Sequence, residues 1–356
     1  MERMVKFLPN RVWRVYRGGA ELERWRGAEK PEDGAFPEEW IASTVEARNP
    51  QHPQPGEGVS MIVRKDGSVE RFDRFLDREG ESFLGADLAR RTGNRPGFLT
   101  KLLDSAIRLP VQAHPDREAS RRLFHSGFGK TEAWVVLAGR RIEGVEPYLL
   151  IGFRDRFDPA VFRREALEGR MEKTLSMMHR FPVVPGETIL IPGGLPHAIG
   201  PGVLVQEIME PTDWVVQPES FCGECPLTLS DRFCGLDAES ALGVFHCRTF
   251  SEEELRRNIV LPPRILEKTP DALLLERIDR KTIRFFGSME LQLHGSWRCP
   301  EEFSCFMAGT VLEGAASAES GTESMAVSQG DTFALGEGCR PLWRGNARIL
   351  FALPPL

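Results

Sequence analysis

No apolar run in this chain approaches the roughly 20 residues that a helix needs to cross a bilayer, so no membrane-spanning helix is expected. No basic stripe stands out either, and 46 Lys and Arg against 52 Asp and Glu leave a net charge of −6. A nucleic-acid partner, whose phosphates demand clustered cations, is not expected. Cysteine is absent before Cys222, and the 7 that follow are an odd number, which excludes a secreted disulfide framework. Cys222 and Cys225 form a CxxC with Cys234 nine residues on. That spacing leaves a structural zinc or a redox pair open, but no second CxxC or paired His completes a tetrahedral set, so a loop with free thiols is expected. The first residues, Met1 to Lys6, hold no apolar core of signal-peptide length, and a cytoplasmic protein is expected. Hydrophobic content of 41% and charged content of 28% are those of a soluble globular chain. Its 356 residues suffice for one large or two ordinary domains.

What is present is a divided metal-ligand pattern. The first half is Gln112-Ala113-His114-Pro115, followed by Lys130-Thr131-Glu132 and Gly139. The second runs Gly186-Glu187-Thr188-Ile189-Leu190-Ile191-Pro192-Gly193-Gly194-Leu195-Pro196-His197. Gln112 and His114 lie two apart and so share a face of an extended segment. Glu132 opens a strand-like run, and His197 follows a Pro-Gly-Gly turn that ends a strand over Thr188–Ile191. Two imidazoles, a carboxylate and an amide oxygen suit a borderline divalent ion, Zn²⁺ first, with one position left open for chemistry. Mn²⁺, Fe²⁺, Co²⁺ and Ni²⁺ can occupy the same set. His52, His125, His179, His246 and His294 lack any ligand spacing.

The pattern resembles the two cupin half-motifs. A Glu followed by six residues and a Gly fits Glu132 and Gly139, and the later spacing fits Gly186, Pro192, Gly194 and His197. Residues 101–104, 111–116, 129–132 and 197–204 narrow the resemblance to the type I mannose-6-phosphate isomerases, with a weaker echo at 11–13 and 38–41. The likeness covers roughly residues 6–217, and so many fixed spacings do not arise readily by chance. It implies a mainly β chain of two cupin-like jelly-roll domains with a small helical insertion.

Along the chain, residues 81–96 have helical spacing, 98–111 read as a buried strand pair, and 116–123 as a helix opened by Pro115. Residues 159–180 carry the clearest helical stripe, with Asp158 as N-cap and Pro159 at the first turn. Ser251 begins a capped helix. Residues 330–338 echo the second half-motif without a following His, so a metal-free second jelly roll is expected. The expected division is 1–225 for a metal-binding catalytic unit with an insertion near 158–180. A connecting segment follows at 226–275, then a C-terminal unit at 276–356.

A metal with an open position stabilises negative charge on oxygen, and proton transfer beside it needs a base of tuned pKa. The candidates are Lys130, which shares the face of Glu132, Glu207 in the apolar run 203–208, and Lys101. The resemblance implies an aldose–ketose isomerase interconverting mannose 6-phosphate and fructose 6-phosphate, with Lys130 and Glu207 at positions that line the family's active site. It also marks Gln217 and Trp40 as substrate contacts. Two positions depart from the family. Gln217 stands where the family has an Arg, and Pro110 where it usually has a Ser associated with phosphate binding. A neutral amide supplies neither fixed charge nor a bidentate fork. Two alternatives are therefore carried: a divergent isomerase of an unphosphorylated or modified sugar, and a metal-dependent sugar-binding protein without turnover. The sequence does not reveal the oligomeric state.

Overall fold

The computed structural model describes residues 2–356. The chain is mainly β, and the burial of alternate side chains shows how its sheets stack. One sheet of seven strands runs Val260–Leu261, Thr188–Ile191, Glu132–Gly139, Val203–Met209, Leu99–Asp104, Glu38–Ile41 and Arg11–Val12 in spatial order. A three-stranded sheet, His197–Ile199, Tyr148–Phe153 and Met178–Pro182, faces it. Leu103, Trp134, Val136, Val203 and Val205 from the first sheet meet Leu149, Ile151, Phe181 and Ile199 from the second. Side chains two apart share a face of a strand, so Lys101, Glu132 and Glu207 lie on this same inner face. Trp134 lies directly opposite Glu207, and Glu207 directly opposite Lys101.

The reverse face of the seven-stranded sheet is buried as well. Leu102, Ala133 and Ile208 pack with Ala308, Ala334 and Ala352, while Val135 meets Leu312 and Leu350. These partners belong to an eleven-stranded sheet whose longest strands are Met307–Ser320 and Leu342–Leu353. Its other face rolls around a core containing Leu274, Leu291, Phe333, Trp343, Ile349 and Phe351. A strand buried on both faces reads as a continuous apolar run rather than an alternating one, as Ala133 to Leu137 does. The N-terminal strand Met4–Phe7 belongs to this larger sheet, where it pairs with Thr332–Leu335 and with Met61–Val63. Conversely, Val260–Leu261 closes the edge of the seven-stranded sheet beside Thr188–Ile191. Arg277 joins the two layers. It pairs with buried Glu290 at 2.5 Å and donates to the Gly186 carbonyl at 2.9 Å.

Several local expectations are corrected. The helix expected over 81–96 begins earlier, at Phe72–Leu84, and breaks at Gly85 (φ +89°) before Ala86–Thr92. Only Leu99–Asp104 of the expected strand pair over 98–111 is a strand. The helix after Pro115 is Arg117–Phe124, and Asp116 caps it by accepting from the Ala119 N–H. The stripe over 159–180 divides at Gly169, which is left-handed (φ +76°), into Pro159–Glu168 and Glu172–Ser176. Met178 then starts a strand. Helical period alone did not reveal the stop because Met171, Leu175 and Met178 continue the spacing across it. Asp158 caps the insertion and Ser251 caps Glu252–Ile259, as expected. Among the described residues no helix is long and apolar enough to cross a membrane.

Candidate active site

Three stretches of chain converge at the mouth of the β sandwich. Glu132 is the first residue of its strand, at the end of the inner-face row that continues through Trp134 and Val136. His197 starts its strand after the turn at 192–196. Gly194 holds φ +84° in that turn, and a Cβ there would stand 2.4 Å from the His246 ring, so a side chain is excluded both by conformation and by space. Gln112 and His197 exchange backbone N–H···O bonds of 2.9 Å in each direction, and Ala113 does the same with Val216 at 3.0 Å. Those bonds anchor the segment that carries Gln112 and His114.

The imidazoles are oriented by carbonyl groups. His114 Nδ1 lies 2.8 Å from the Trp214 carbonyl, and His197 Nδ1 lies 2.8 Å from that of Leu195. A carbonyl oxygen only accepts, so both Nδ1 atoms carry the proton and both Nε2 atoms present lone pairs. Those lone pairs face opposite oxygens of one carboxylate. His114 Nε2 is 3.2 Å from Glu132 Oε2, and His197 Nε2 is 3.4 Å from Oε1. All three side chains are buried, and their donor atoms lie within 4.8 Å of one another. Lone pairs turned onto a carboxylate repel unless a cation lies among them. Lys130 Nζ lies 2.8 Å from His114 Nε2 and 2.6 Å from Glu132 Oε2, while His197 Nε2 has no hydrogen-bond partner. This donor set fits a divalent transition ion. Gln112 lines the same cleft, half-buried, beside His114.

The charge states agree with this fit. Burial holds the His197 imidazole down at about 3, against the pull of Glu132. Burial and then Lys130 also lower His114. Burial pushes Glu132 up, but Lys130 and the two histidines outweigh it and hold the carboxyl well below its ordinary value. Neutral imidazoles and an ionised carboxylate are the forms that bind metal.

Glu207, Lys101 and Lys130 meet beside this cluster. Lys101 Nζ is 3.5 Å and Lys130 Nζ 3.6 Å from Glu207 Oε1, and this buried oxygen accepts no hydrogen bond. Burial, and then the charge of Glu132, push the Glu207 carboxyl up to about 7. Burial alone would lower Lys101, but Glu207 and Glu38 outweigh it and raise the ammonium above its ordinary value. A carboxyl that exchanges its proton near neutrality beside a metal-capable cluster is equipped for acid–base work.

The cleft above has an empty volume of about 810 Å³ including its open mouth. Its wall includes Gln112, His114, Lys130, Lys101 and Glu207, together with Pro110 and Gln217. The Gln217 amide nitrogen donates to the Asp231 carbonyl at 3.2 Å. Trp40 does not fit the expected substrate contact. It is 1% exposed, off the cleft wall, and donates its indole N–H to Glu38 Oε2 at 2.7 Å. Its register places it opposite Lys101, and Arg14 lies over its ring at 5.2 Å. Cys222 and Cys225 face each other across a two-residue hairpin, and all 7 cysteines are free. His114, Glu132 and His197 form the metal-capable group found among the described residues.

Sequence reasoning missed the hub beneath Lys101. Glu38 accepts from Tyr16 (2.6 Å), Lys101 (3.1 Å), Trp40 (2.7 Å) and Arg14 (2.9 Å). Arg14 in turn grips Asp213 through two bonds of 3.1 Å. The available signal was an acid inside an apolar strand, Glu38 beside Trp40 and Ile41, the same signal that singled out Glu207.

These features define a class: a double jelly roll of cupin type, with a candidate metal centre at the mouth of one roll. No protein-family model matches the chain. Its sequence is 26% identical over 238 residues to the mannose-6-phosphate isomerase of Streptococcus mutans, a match spanning 66% of each chain. It is 29% identical over 123 residues to the isomerase ManA of Bacillus subtilis, spanning 34% of this chain and 36% of that one. The chain thus matches just under two thirds of the first relative and about a third of the second. Over its full length it superimposes on the Bacillus subtilis mannose 6-phosphate isomerase structure with a TM-score of 0.75 at 18% identity, covering 99% of each. A putative mannosephosphate isomerase from Archaeoglobus fulgidus gives 0.73 at 16% identity, covering 100% of this chain and 99% of that one. The chain is thus similar in sequence to curated mannose-6-phosphate isomerases and shares the fold of the solved structures of that name.

Proposed function

We propose that this protein is a metal-dependent aldose–ketose isomerase that interconverts mannose 6-phosphate and fructose 6-phosphate. The observation that carries the reading is the placement of Glu207, with Lys101 and Lys130, on the wall of the same cleft that His114 and Gln112 line. His114, Glu132 and His197, with Gln112 as the fourth donor, would hold the ion, and the nitrogen-rich set favours Zn²⁺. When bound, such an ion supplies Lewis-acid stabilisation of negative charge on oxygen. Glu207 takes the proton from C2 of the open-chain aldose and returns it to C1 of the enediol, while the O2 hydroxyl proton passes to O1, so that the carbonyl moves from C1 to C2. Lys130 and Lys101 hold the carboxylate between them and face the developing oxygen charge. Trp214 and Leu195 keep the imidazoles in the ligating tautomer through their carbonyls. The N-terminal jelly roll holds this chemistry, and the C-terminal sheet covers its back. The free thiols fit a reducing compartment, and we assign the protein to the cytoplasm.

Gln217 favours a second reading, isomerisation of an unphosphorylated sugar, because its amide brings no charge to the cleft wall. One experiment separates the two: coupled turnover of zinc-loaded protein on mannose 6-phosphate, beside free mannose and other aldoses. Turnover of mannose 6-phosphate that EDTA abolishes supports the first reading. Turnover of free sugars alone supports the second. Ligand binding with no proton exchange on either would replace both with a sugar-binding role.

A further inference from the structure

Four cations stand on the cleft wall, and three are already matched. Lys130 is paired with Glu132, Lys101 with Glu38 and Glu207, and Arg14 with Glu38 and Asp213. Arg48 is the fourth. It is exposed, lines the same cleft, and makes no ion pair with any carboxylate among the described residues. Its guanidinium lies over the Trp214 ring at 4.7 Å, and Trp214 stacks on Phe124 at 4.5 Å. The Trp214 carbonyl is the acceptor that orients His114, so a single residue links the platform under Arg48 to the foot of the cleft. The chain at Arg48 is fixed at its root. Its backbone N–H donates to Asp213 at 2.8 Å, and Asn49 bonds both Arg14 and Glu57. Asp231, the remaining acid on that wall, already accepts from Thr228 and Gln51.

We infer that Arg48 receives the anionic end of the substrate, a phosphate group, and so sets the preference of this cleft for a phosphorylated sugar. The inference rests on the isomerase reading for its substrate class, while its own test is binding of an anion. A guanidinium with free N–H donors binds phosphate oxygens in pairs. An unpaired one on an aromatic platform keeps that fork available without the cost of breaking an ion pair. Gln217 offers no such charge.

The test measures inorganic phosphate binding by calorimetry to the wild type, Arg48→Gln and Arg48→Lys, alongside kcat/KM on mannose 6-phosphate and on mannose. Loss of one charge-assisted contact should weaken phosphate binding by roughly 10- to 100-fold in Arg48→Gln. The ratio of kcat/KM for mannose 6-phosphate to that for mannose should fall by a similar factor, mainly through KM, and Arg48→Lys should recover part of it. Equal phosphate affinity in wild type and Arg48→Gln, or no phosphate binding by the wild type, overturns the inference and leaves the isomerase reading standing. Arg48-dependent phosphate binding in a protein without turnover keeps the subsite and sinks the isomerase reading instead.

Discussion

Replacing Glu207 with Gln should remove activity and, at alkaline pH, make the metal-stripped protein more stable. The Glu207 carboxyl is 3% exposed and is held at about 7, against an ordinary 4.5, first by burial and then by Glu132. The folded state therefore binds this proton more tightly than the unfolded chain. Its contribution to stability is fully present below the unfolded value and is lost as pH rises toward the folded value. Across that interval of two to three units the loss is on the order of 3 kcal/mol. Gln has the same shape and no charge to bury. Neither lysine is orphaned by the change, since Lys101 keeps Glu38 at 3.1 Å and Lys130 keeps Glu132 at 2.6 Å. In EDTA, Glu207→Gln should therefore unfold several degrees higher than wild type at about pH 8, with the gap closing toward about pH 4.5. Turnover of the zinc-loaded variant should fall by roughly 10²- to 10⁴-fold, the usual worth of a positioned acid–base group. Scanning fluorimetry across pH, with coupled turnover beside it, measures both. A variant less stable at alkaline pH, or one retaining turnover within about tenfold of wild type, would refute the reasoning.

Further outcomes follow from the same geometry. His114→Ala and His197→Ala should each lose stoichiometric zinc, as read by plasma emission after dialysis. The two imidazoles are neutral to lower pH than exposed ones, so wild type should retain zinc on acidification past the ordinary histidine value of about 6.5. Release with a midpoint above that value would count against these ligands. Trp40→Phe deletes the N–H donated to Glu38 and shrinks a fully buried ring, so it should cost at least about 1–3 kcal/mol in urea unfolding with little change in KM. A change confined to KM would restore Trp40 as a substrate contact. Arg277→Ala leaves buried Glu290 with only Arg348 and the Gln292 amide, both on Oε1, and frees the Gly186 carbonyl. It should cost roughly 3–5 kcal/mol, and a neutral result would mean that the two β layers do not depend on this pair.

Much of the candidate site was legible because its chemistry conflicts with its surroundings. Glu132 and Glu207 are acids in apolar strands, and such residues need a stated partner. His114 and His197 stood out through joint spacing rather than individually. Trp40 was misread because it shares the inner face with Lys101 and Glu38 but lies buried under Arg14 and Lys101, a covering by distant residues that no local pattern encodes. Glu38 carried the same signal of an acid in an apolar strand and was passed over, whereas the pairing of Arg14 with Asp213 across 199 positions had no local signature at all. The helix stop at Gly169 was hidden because Met171 and Leu175, which belong to the next short helix and its cap, and Met178, which starts the next strand, continue the helical period.

The sequence by itself determined the donor chemistry of the candidate metal site, the strands that carry it, and the caps at Asp158 and Ser251. Those features depend on residues near one another in the chain, where alternation, turns and spacing act directly. The tertiary structure alone decided that Met4–Phe7 completes the C-terminal sheet and that Val260–Leu261 completes the other. It also decided that three of the four cleft cations are neutralised by carboxylates and that Arg48 is not. Burial and charge pairing depend on which distant surfaces come together, and no local pattern encodes that.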